Sequence, residues 1–89
     1  MVARHFDIAG LVQGVFYRAQ TKEKADELGI TGWVRNTDNG GVEIHAEGPE
    51  DKLKELEQWC WEGPPRAIVA NVTVTSTDEK PYASFEIAS

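Results

Sequence analysis

The stretch GLVQGVFYR, residues 10–18, joins a predicted strand to a predicted helix and decides how the fold begins. In residues 5–12 polar and apolar side chains alternate, a period of two that is typical of a half-buried strand. From Tyr17 onward, side chains suited to a core return every three or four residues until Gly29, which predicts an amphipathic helix of about three turns. The stretch is therefore a glycine-containing turn that brings Arg18 into the first turn of a helix.

The rest of the chain predicts further strands, a hairpin turn and a second helix. Residues 33–36 and 42–47 are predicted strands on either side of TDNGG, whose Asn-Gly pair is typical of a tight hairpin turn. The second helix is expected to begin with Pro49 just inside it and to end before Gly63, and strands follow at residues 68–75 and 85–87. The residues predicted to share the core-facing sides of these elements are Phe6, Ile8, Val12, Tyr17, Thr21, Ala25, Leu28, Leu53, Leu56 and Cys60, with Ile68, Ala70, Val72 and Val74 together on one face of the fourth strand.

This element order predicts the fold class. The order is βαββαβ with an additional short C-terminal strand, and each helix has one apolar stripe while each strand has one apolar face. The economical packing is an α+β fold with two helices on one face of an antiparallel sheet. With 89 residues, the chain is expected to form a single domain over residues 1–89.

Composition and charge limit the functions that the chain can have. Hydrophobic residues make up 40% and charged residues 27%, the balance of a globular protein. The net charge of -6 is the wrong sign for general nucleic-acid binding, and no apolar run approaches the roughly 20 residues that span a membrane. We therefore expect a cytoplasmic protein that binds neither nucleic acid nor a membrane, and the short, polar edge strands predicted for the sheet favour a monomer.

Cysteine and histidine usage predicts neither a disulfide nor a metal site. Cys60 has no second cysteine with which to form a disulfide or a thiolate metal site, and we expect it to be a buried apolar residue. His5 and His45 are predicted on the polar faces of separate strands, with no evident third ligand. The core is therefore expected to supply the stability of the fold.

Strand directions predict a site at one edge of the sheet. If the first two strands are parallel and joined by a right-handed crossover, their carboxyl ends share an edge, so Arg18 and Asn36 lie there together. The first helix begins at the same edge, where its free N–H groups favour an anion. Gly14 can adopt a positive φ that turns these N–H groups toward one point, and Arg18 offers a planar charged group able to hold two oxygens.

Asn36 is predicted to hold a water molecule at the site. Its carboxamide both donates and accepts hydrogen bonds, so it can hold a water in a fixed direction without changing protonation. An oxyanion held by Arg18 and a water held by Asn36 suggest phosphoryl hydrolysis, in which positioning and charge stabilisation supply most of the catalysis.

The motifs GLVQGVFYR and LGITGWVRNTDNGGVEIHAEGPEDKL resemble the acylphosphatase family, and the similarity extends through GPP to the final FEI. The resemblance implies a ferredoxin-like α/β sandwich that hydrolyses the carboxyl–phosphate bond of acyl phosphates, giving carboxylate and inorganic phosphate without metal or cofactor. It also implies that Asn36 orients the attacking water and that the phosphate is held by the Arg18 side chain and by the main chain of Gln13, Gly14, Val15, Phe16, Tyr17 and Arg18.

Two positions depart from the family pattern. Tyr17 stands where many members have phenylalanine, which is a small change if the ring packs inward and the hydroxyl reaches a polar group. Gly41 stands where some relatives have a hydroxyl residue, so a hydrogen bond from that position to the region of Asn36 is missing here. Thr37, next to Asn36, is the candidate to supply such a hydrogen bond.

Further hypotheses concern the two tryptophans of the second helix and the C-terminal residues. Trp59 and Trp61 are expected to pack or to form an interface, and a contact with the acyl group of a substrate is an alternative. The direction of the last strand brings Ile87 and the terminal carboxylate of Ser89 toward Arg18, where that carboxylate would compete with the anion.

Two other functions stay open on the sequence. A non-catalytic anion-binding module is compatible with the same fold, because such folds carry many functions. A single-strand nucleic-acid module shares the element order, but it is disfavoured by the negative charge and by a third strand that offers His45 and no Phe or Tyr.

Overall fold

The computed structural model describes residues 1–88 and contains five strands and two helices in the predicted order. They are β1 (Val2–Leu11), α1 (Tyr17–Leu28), β2 (Thr31–Asn36), β3 (Val42–Gly48), α2 (Glu50–Glu62), β4 (Ile68–Ser76) and β5 (Phe85–Ile87). The largest difference from the predicted bounds is at β1, which begins at Val2 because Val2, Ala3 and Arg4 also pair with β3. Pro49 is the N-cap of α2 and therefore lies just outside the helix.

The strands form one sheet in the order β4-β1-β3-β2-β5. The first four strands of that order are antiparallel neighbours, as expected. The short β5 pairs in parallel with β2 and makes the sheet mixed, because the chain both reverses direction after β4 and crosses to the other sheet edge before β5 begins. β1 and β2 both run antiparallel to β3, so they are parallel to each other and their carboxyl ends share an edge.

Both helices pack on one face of the sheet and contact each other. The apolar stripes predicted for them are buried, with Leu28 half-buried against the core. Their partners on the sheet include Phe6, Ile8 and Ile44, which are also buried. The fold is a ferredoxin-like α+β sandwich, and among residues 1–88 no helix combines the length and apolarity that crossing a membrane requires.

A β-bulge changes the predicted pattern of β4. Ala9 pairs with Asn71 but Gly10 pairs with Val69, so Ala70 is an extra residue on β4. An extra residue reverses the alternation beyond it, and Val69 therefore packs against the core while Ile68 is exposed. The predicted placement of Ile68 on the same face as Val72 is wrong for this reason.

The opposite face of the sheet is partly covered by residues 77–84. His45 lies beneath this segment, where its Nε2 is 2.6 Å from Oε2 of Glu47, which also accepts a hydrogen bond of 2.6 Å from the Lys80 N–H. The His45 ring packs against Trp33 and Tyr82, with ring centroids 6.1 and 5.2 Å away. His45 is therefore a buried residue instead of the ordinary polar-face residue that the alternation predicts.

Candidate active site

The loop between β1 and α1 has two residues in the left-handed conformation. Gly14 has a φ of 74°, as its expected role requires, and Phe16, the N-cap of α1, has φ 66° and ψ 19°. Left-handed residues in such a short loop turn neighbouring main-chain N–H groups toward one concave side. The loop therefore has the shape of an anion-binding cradle.

The N–H groups of this cradle have no partner within the described part of the chain. No backbone N–H of residues 13–19 donates to an acceptor in residues 1–88, and the first bond of α1 runs from Gln20 N–H to Phe16 C=O at 3.0 Å. The helix has neither a side-chain cap nor an acidic residue in its first turn. Unpaired donors at the positive end of the helix dipole favour a bound anion.

A cavity of about 320 Å³ opens at this edge of the sheet. It is lined by Val12, Gly14, Phe16, Tyr17, Arg18, Ala19, Asn36 and Ile87. The expected meeting of Arg18 and Asn36 is thus found, and Ile87 reaches the same place, as the direction of the last strand predicted. Gln13 and Val15, which were also expected at the site, do not line the cavity. The proposed contact of the Ser89 carboxylate lies outside the described residues.

Arg18 is half-buried beside the helix N-terminus. Within residues 1–88 its guanidinium has no carboxylate at ion-pair distance. A permanent positive charge near the positive end of a helix dipole is unfavourable alone, and an anion between the two removes the conflict.

Asn36 is the last residue of β2 and pairs with Val42 of β3. Its Oδ1 is buried and has no hydrogen-bond partner among residues 1–88. A buried polar atom left unpaired costs about 1–3 kcal/mol, so such atoms usually have a ligand or water as partner. This unpaired oxygen can therefore accept a hydrogen bond from a water molecule or a ligand.

The Gln13 side chain ties the cradle loop to the β2–β3 turn. Its Nε2 donates hydrogen bonds of 2.8 Å to the carbonyls of Thr37 and Gly41. This role of the Gln13 side chain was not predicted from the sequence, which indicated a role only for the Gln13 main chain. No local signal could have revealed the contact, because both acceptors lie on another element.

Thr37 supports the turn rather than the Asn36 carboxamide. Its Oγ1 accepts a hydrogen bond of 3.1 Å from the Gly41 N–H and bonds to the Asn39 side chain. A Cβ at Gly41 would lie 2.6 Å from the Ile8 carbonyl oxygen, so the glycine suits this close approach. The suggested support of Asn36 by Thr37 is therefore indirect.

Tyr17 anchors the start of α1 in the core. Its buried ring lies 5.3 Å from Trp59 between centroids, and its hydroxyl donates a 2.7 Å hydrogen bond to the Cys60 carbonyl. Burial raises the pKa of the Tyr17 phenol and raises the pKa of the Cys60 thiol to about 12. Neither Trp59 nor Trp61 lines the cavity, so their suggested contact with an acyl group finds no support.

A second group of polar side chains lies on the sheet face away from the helices. His5, Asp7 and Glu43 have possible ligand atoms within 4.8 Å of one another. However, His5 uses Nε2 toward Glu43 at 2.9 Å and Nδ1 toward Asp7 at 3.5 Å, and Arg35 also pairs with Glu43. Burial acts to raise the pKa of Glu43, but the hydrogen bonds from His5 and Arg35 outweigh it and lower that pKa. The arrangement fits an ion-pair network better than a metal site.

The fold is a small α+β sandwich, and its cavity lies at a helix N-terminus whose unpaired N–H groups favour an anion. The family model described as Acylphosphatase matches residues 4–87, and the chain belongs to this family.

Relatives support the assignment over nearly the whole chain. A curated acylphosphatase from Marinobacter nauticus is 59% identical over 68 residues, which cover 76% of this chain and 74% of the relative. The crystal structure of acylphosphatase from Bacillus subtilis has a TM-score of 0.96 at 36% identity and covers 100% of both chains. An acylphosphatase structure from Coxiella burnetii has a TM-score of 0.94 at 41% identity, covering 98% of this chain and 92% of that one.

Family membership establishes the reaction class. The chain is an enzyme that hydrolyses the carboxyl–phosphate bond of small-molecule acyl phosphates.

Proposed function

We propose that Arg18 and the main-chain N–H groups of residues 13–18 bind the phosphoryl group and that Asn36 orients the attacking water. The observation that carries this proposal is the common cavity, which Arg18 and Asn36 line together with Gly14 of the cradle loop. The substrate is a small acyl phosphate, and the reaction needs no metal or cofactor.

The phosphoryl group suits the donors at this site. In the transition state of phosphoryl transfer, negative charge spreads over the three equatorial oxygens. The guanidinium can hold two of them, and the unpaired N–H groups of residues 13–19 supply further donors. These donors are oriented before the substrate arrives, so little reorganisation is needed as charge develops.

Water attack completes the reaction. Asn36 Oδ1 accepts a hydrogen bond from the water, whose oxygen forms a new bond to phosphorus. The bond from phosphorus to the carboxyl oxygen breaks, and its electron pair leaves with the carboxylate. Both water protons remain on inorganic phosphate. Because a carboxylate is a good leaving group, no general acid is required.

Four further properties remain predictions. The negative net charge and the single buried Cys60 favour a cytoplasmic protein that does not bind nucleic acid. The edge strand β5 has only three residues, which favours a monomer. We also expect residues 1–89 to act as one acylphosphatase-like domain.

Turnover of benzoyl phosphate with EDTA present tests the proposal. Arg18→Gln removes the charge and Asn36→Ala removes the acceptor, while Arg66→Gln removes an exposed arginine outside the cavity and serves as control. We expect kcat/KM to fall by at least about 10²-fold for the first two variants, the typical loss for one preorganised donor, and to stay unchanged for the control.

Circular dichroism and thermal unfolding would establish that the variants are folded. Activity of Arg18→Gln or Asn36→Ala near the wild-type level would refute the assigned roles, and activity lost in EDTA and restored by a metal would refute the metal-free reaction. Binding of phosphate without any turnover would instead identify a non-catalytic anion-binding module.

A further inference from the structure

Phe16 combines two unfavourable properties at the edge of the cavity. It is the only non-glycine residue among residues 1–88 with a positive φ, at 66°, and its side chain is 72% exposed. A left-handed conformation is energetically unfavourable for a non-glycine residue, and an exposed phenyl ring gains nothing from burial. Strain that persists at a cavity is a reason to look for a function of that residue.

Ile87 is the second exposed apolar side chain that lines this cavity. It comes from β5 and is 44% exposed, whereas the other large apolar residues of the lining, Val12 and Tyr17, are buried. The cavity therefore has a buried floor and two exposed apolar side chains, from separate elements, on the side toward solvent. Its volume of about 320 Å³ leaves space beyond the phosphoryl group.

We propose that the side chains of Phe16 and Ile87 form an acyl-group subsite that favours aromatic and other large apolar acyl phosphates over small ones. This inference rests on the proposed binding of phosphate by Arg18 and the cradle loop. With the phosphate held by the N–H groups, the acyl group extends toward solvent, where these two side chains can contact it. Phe16 then buries its ring only when substrate is bound.

The contact explains why the loop holds a phenylalanine in this conformation. The left-handed backbone at Phe16 serves the N–H cradle, and the same residue presents its ring at the cavity. An aromatic ring prefers offset or edge-to-face contact with another ring, which stabilises a benzoyl group more than an acetyl group. One residue thereby couples phosphate binding by the main chain to acyl selection by the side chain.

The test compares kcat/KM for benzoyl phosphate and acetyl phosphate in each variant. The readout is the benzoyl-to-acetyl ratio relative to wild type, because the intrinsic reactivities of the two substrates cancel in that comparison. Phe16→Asn removes the ring and keeps a residue that tolerates positive φ. Ile87→Thr removes the second apolar side chain without altering the loop, and Ile68→Thr removes an exposed isoleucine outside the cavity as a control.

We expect the benzoyl-to-acetyl ratio to fall about tenfold in Phe16→Asn and about threefold in Ile87→Thr. The Ile68→Thr control should keep both the ratio and the rates of wild type. Ratios that remain at the wild-type value in both variants, including the case of an equal loss on both substrates, would overturn the inference. Failure of the proposed function looks different, since Arg18→Gln or Asn36→Ala would then hydrolyse both substrates at rates near those of wild type.

Discussion

At the residue scale, the roles proposed for Arg18 and Asn36 do not depend on a change of protonation. The Arg18 guanidinium keeps its charge, and the Asn36 carboxamide does not titrate near neutral pH. Their usefulness therefore depends on relative position, because a phosphate and a water must be held at a reactive distance. The Gln13 side chain links the two supporting loops through its bonds to the Thr37 and Gly41 carbonyls.

Replacing Gln13 with methionine should impair alignment more than binding. Gln13→Met keeps the size of the side chain but removes both hydrogen bonds to the turn, and we expect kcat to fall about tenfold. The inhibition constant of inorganic phosphate should change by less than about threefold, because Arg18 and the N–H groups remain. Steady-state kinetics with phosphate as inhibitor measures both quantities.

Gln58→Met provides a control, since Gln58 is exposed on α2 and does not line this cavity. Equal losses of kcat and of phosphate affinity in Gln13→Met would contradict a positioning role.

At the element scale, Gly10 near the end of β1 and Gly14 in the β1–α1 loop have different physical reasons to be glycine. A Cβ on Gly10 would lie 2.2 Å from the Ile68 carbonyl oxygen, so Gly10 allows β1 and β4 to approach at the bulge. A Cβ on Gly14 would meet no atom within 4 Å, and the φ of 74° is the reason for glycine at that position. The first glycine serves packing and the second serves the cradle.

Alanine substitutions should therefore separate stability from activity. We expect Gly10→Ala to lower the free energy of unfolding by about 3 kcal/mol or more, since the backbone must move. Gly14→Ala should lower it by only about 1–2 kcal/mol but should reduce kcat/KM by about 10²-fold as the N–H groups turn away. Urea unfolding and turnover of an acyl phosphate measure the two effects.

Gly29 offers the matched control for Gly14. Its φ is 73° and a Cβ there would also meet nothing within 4 Å, but it lies at the other end of α1. Gly29→Ala should show the same loss of stability with activity intact. A similar loss of activity in both alanine variants would argue against a specific role of the Gly14 conformation.

At the scale of the whole molecule, the two helices are joined by a buried polar contact as well as by apolar packing. The Tyr17 hydroxyl at the start of α1 bonds to the Cys60 carbonyl in α2. Because burial raises the pKa of Tyr17 and of Cys60, the folded protein keeps both protons at a pH where the unfolded chain has lost them. Their contribution to stability is complete below the ordinary values of 9.0 for the thiol and 10.0 for the phenol, and it is lost as pH rises further.

Tyr17→Phe should reveal this linkage. We expect the variant to lose about 1–2 kcal/mol of unfolding free energy at pH 7, because the Cys60 carbonyl is left unpaired in the core. Above pH 10 its stability should fall less steeply with pH than that of wild type. Urea unfolding at pH 7 and at pH 10.5 tests both effects, with Tyr82→Phe on the opposite sheet face as the control. Parallel pH profiles of Tyr17→Phe and wild type would contradict the assignment.

Much of the site was predictable because it depends on strand directions and local conformation. The alternation in residues 5–12 and the period of α1 placed Arg18 at the same edge as Asn36, and the glycine at position 14 predicted the left-handed turn. The side-chain bonds of Gln13 were not predictable, because a glutamine in a loop has many possible acceptors. The left-handed conformation of Phe16 was missed because phenylalanine has no preference for it.

Periodicity, turn residues and motifs are local properties of a chain, and they were enough to predict the order of the elements, most of their inward faces and the family. The contacts between residues that are far apart in the sequence depend on how the elements pack together. Ile68 is exposed because β4 has a bulge opposite Gly10, and His45 is buried beneath residues 77–84. Ile87 lines the same cavity as Phe16. The physical reason is that these contacts depend on the register and packing of separate elements, which no single stretch of sequence contains.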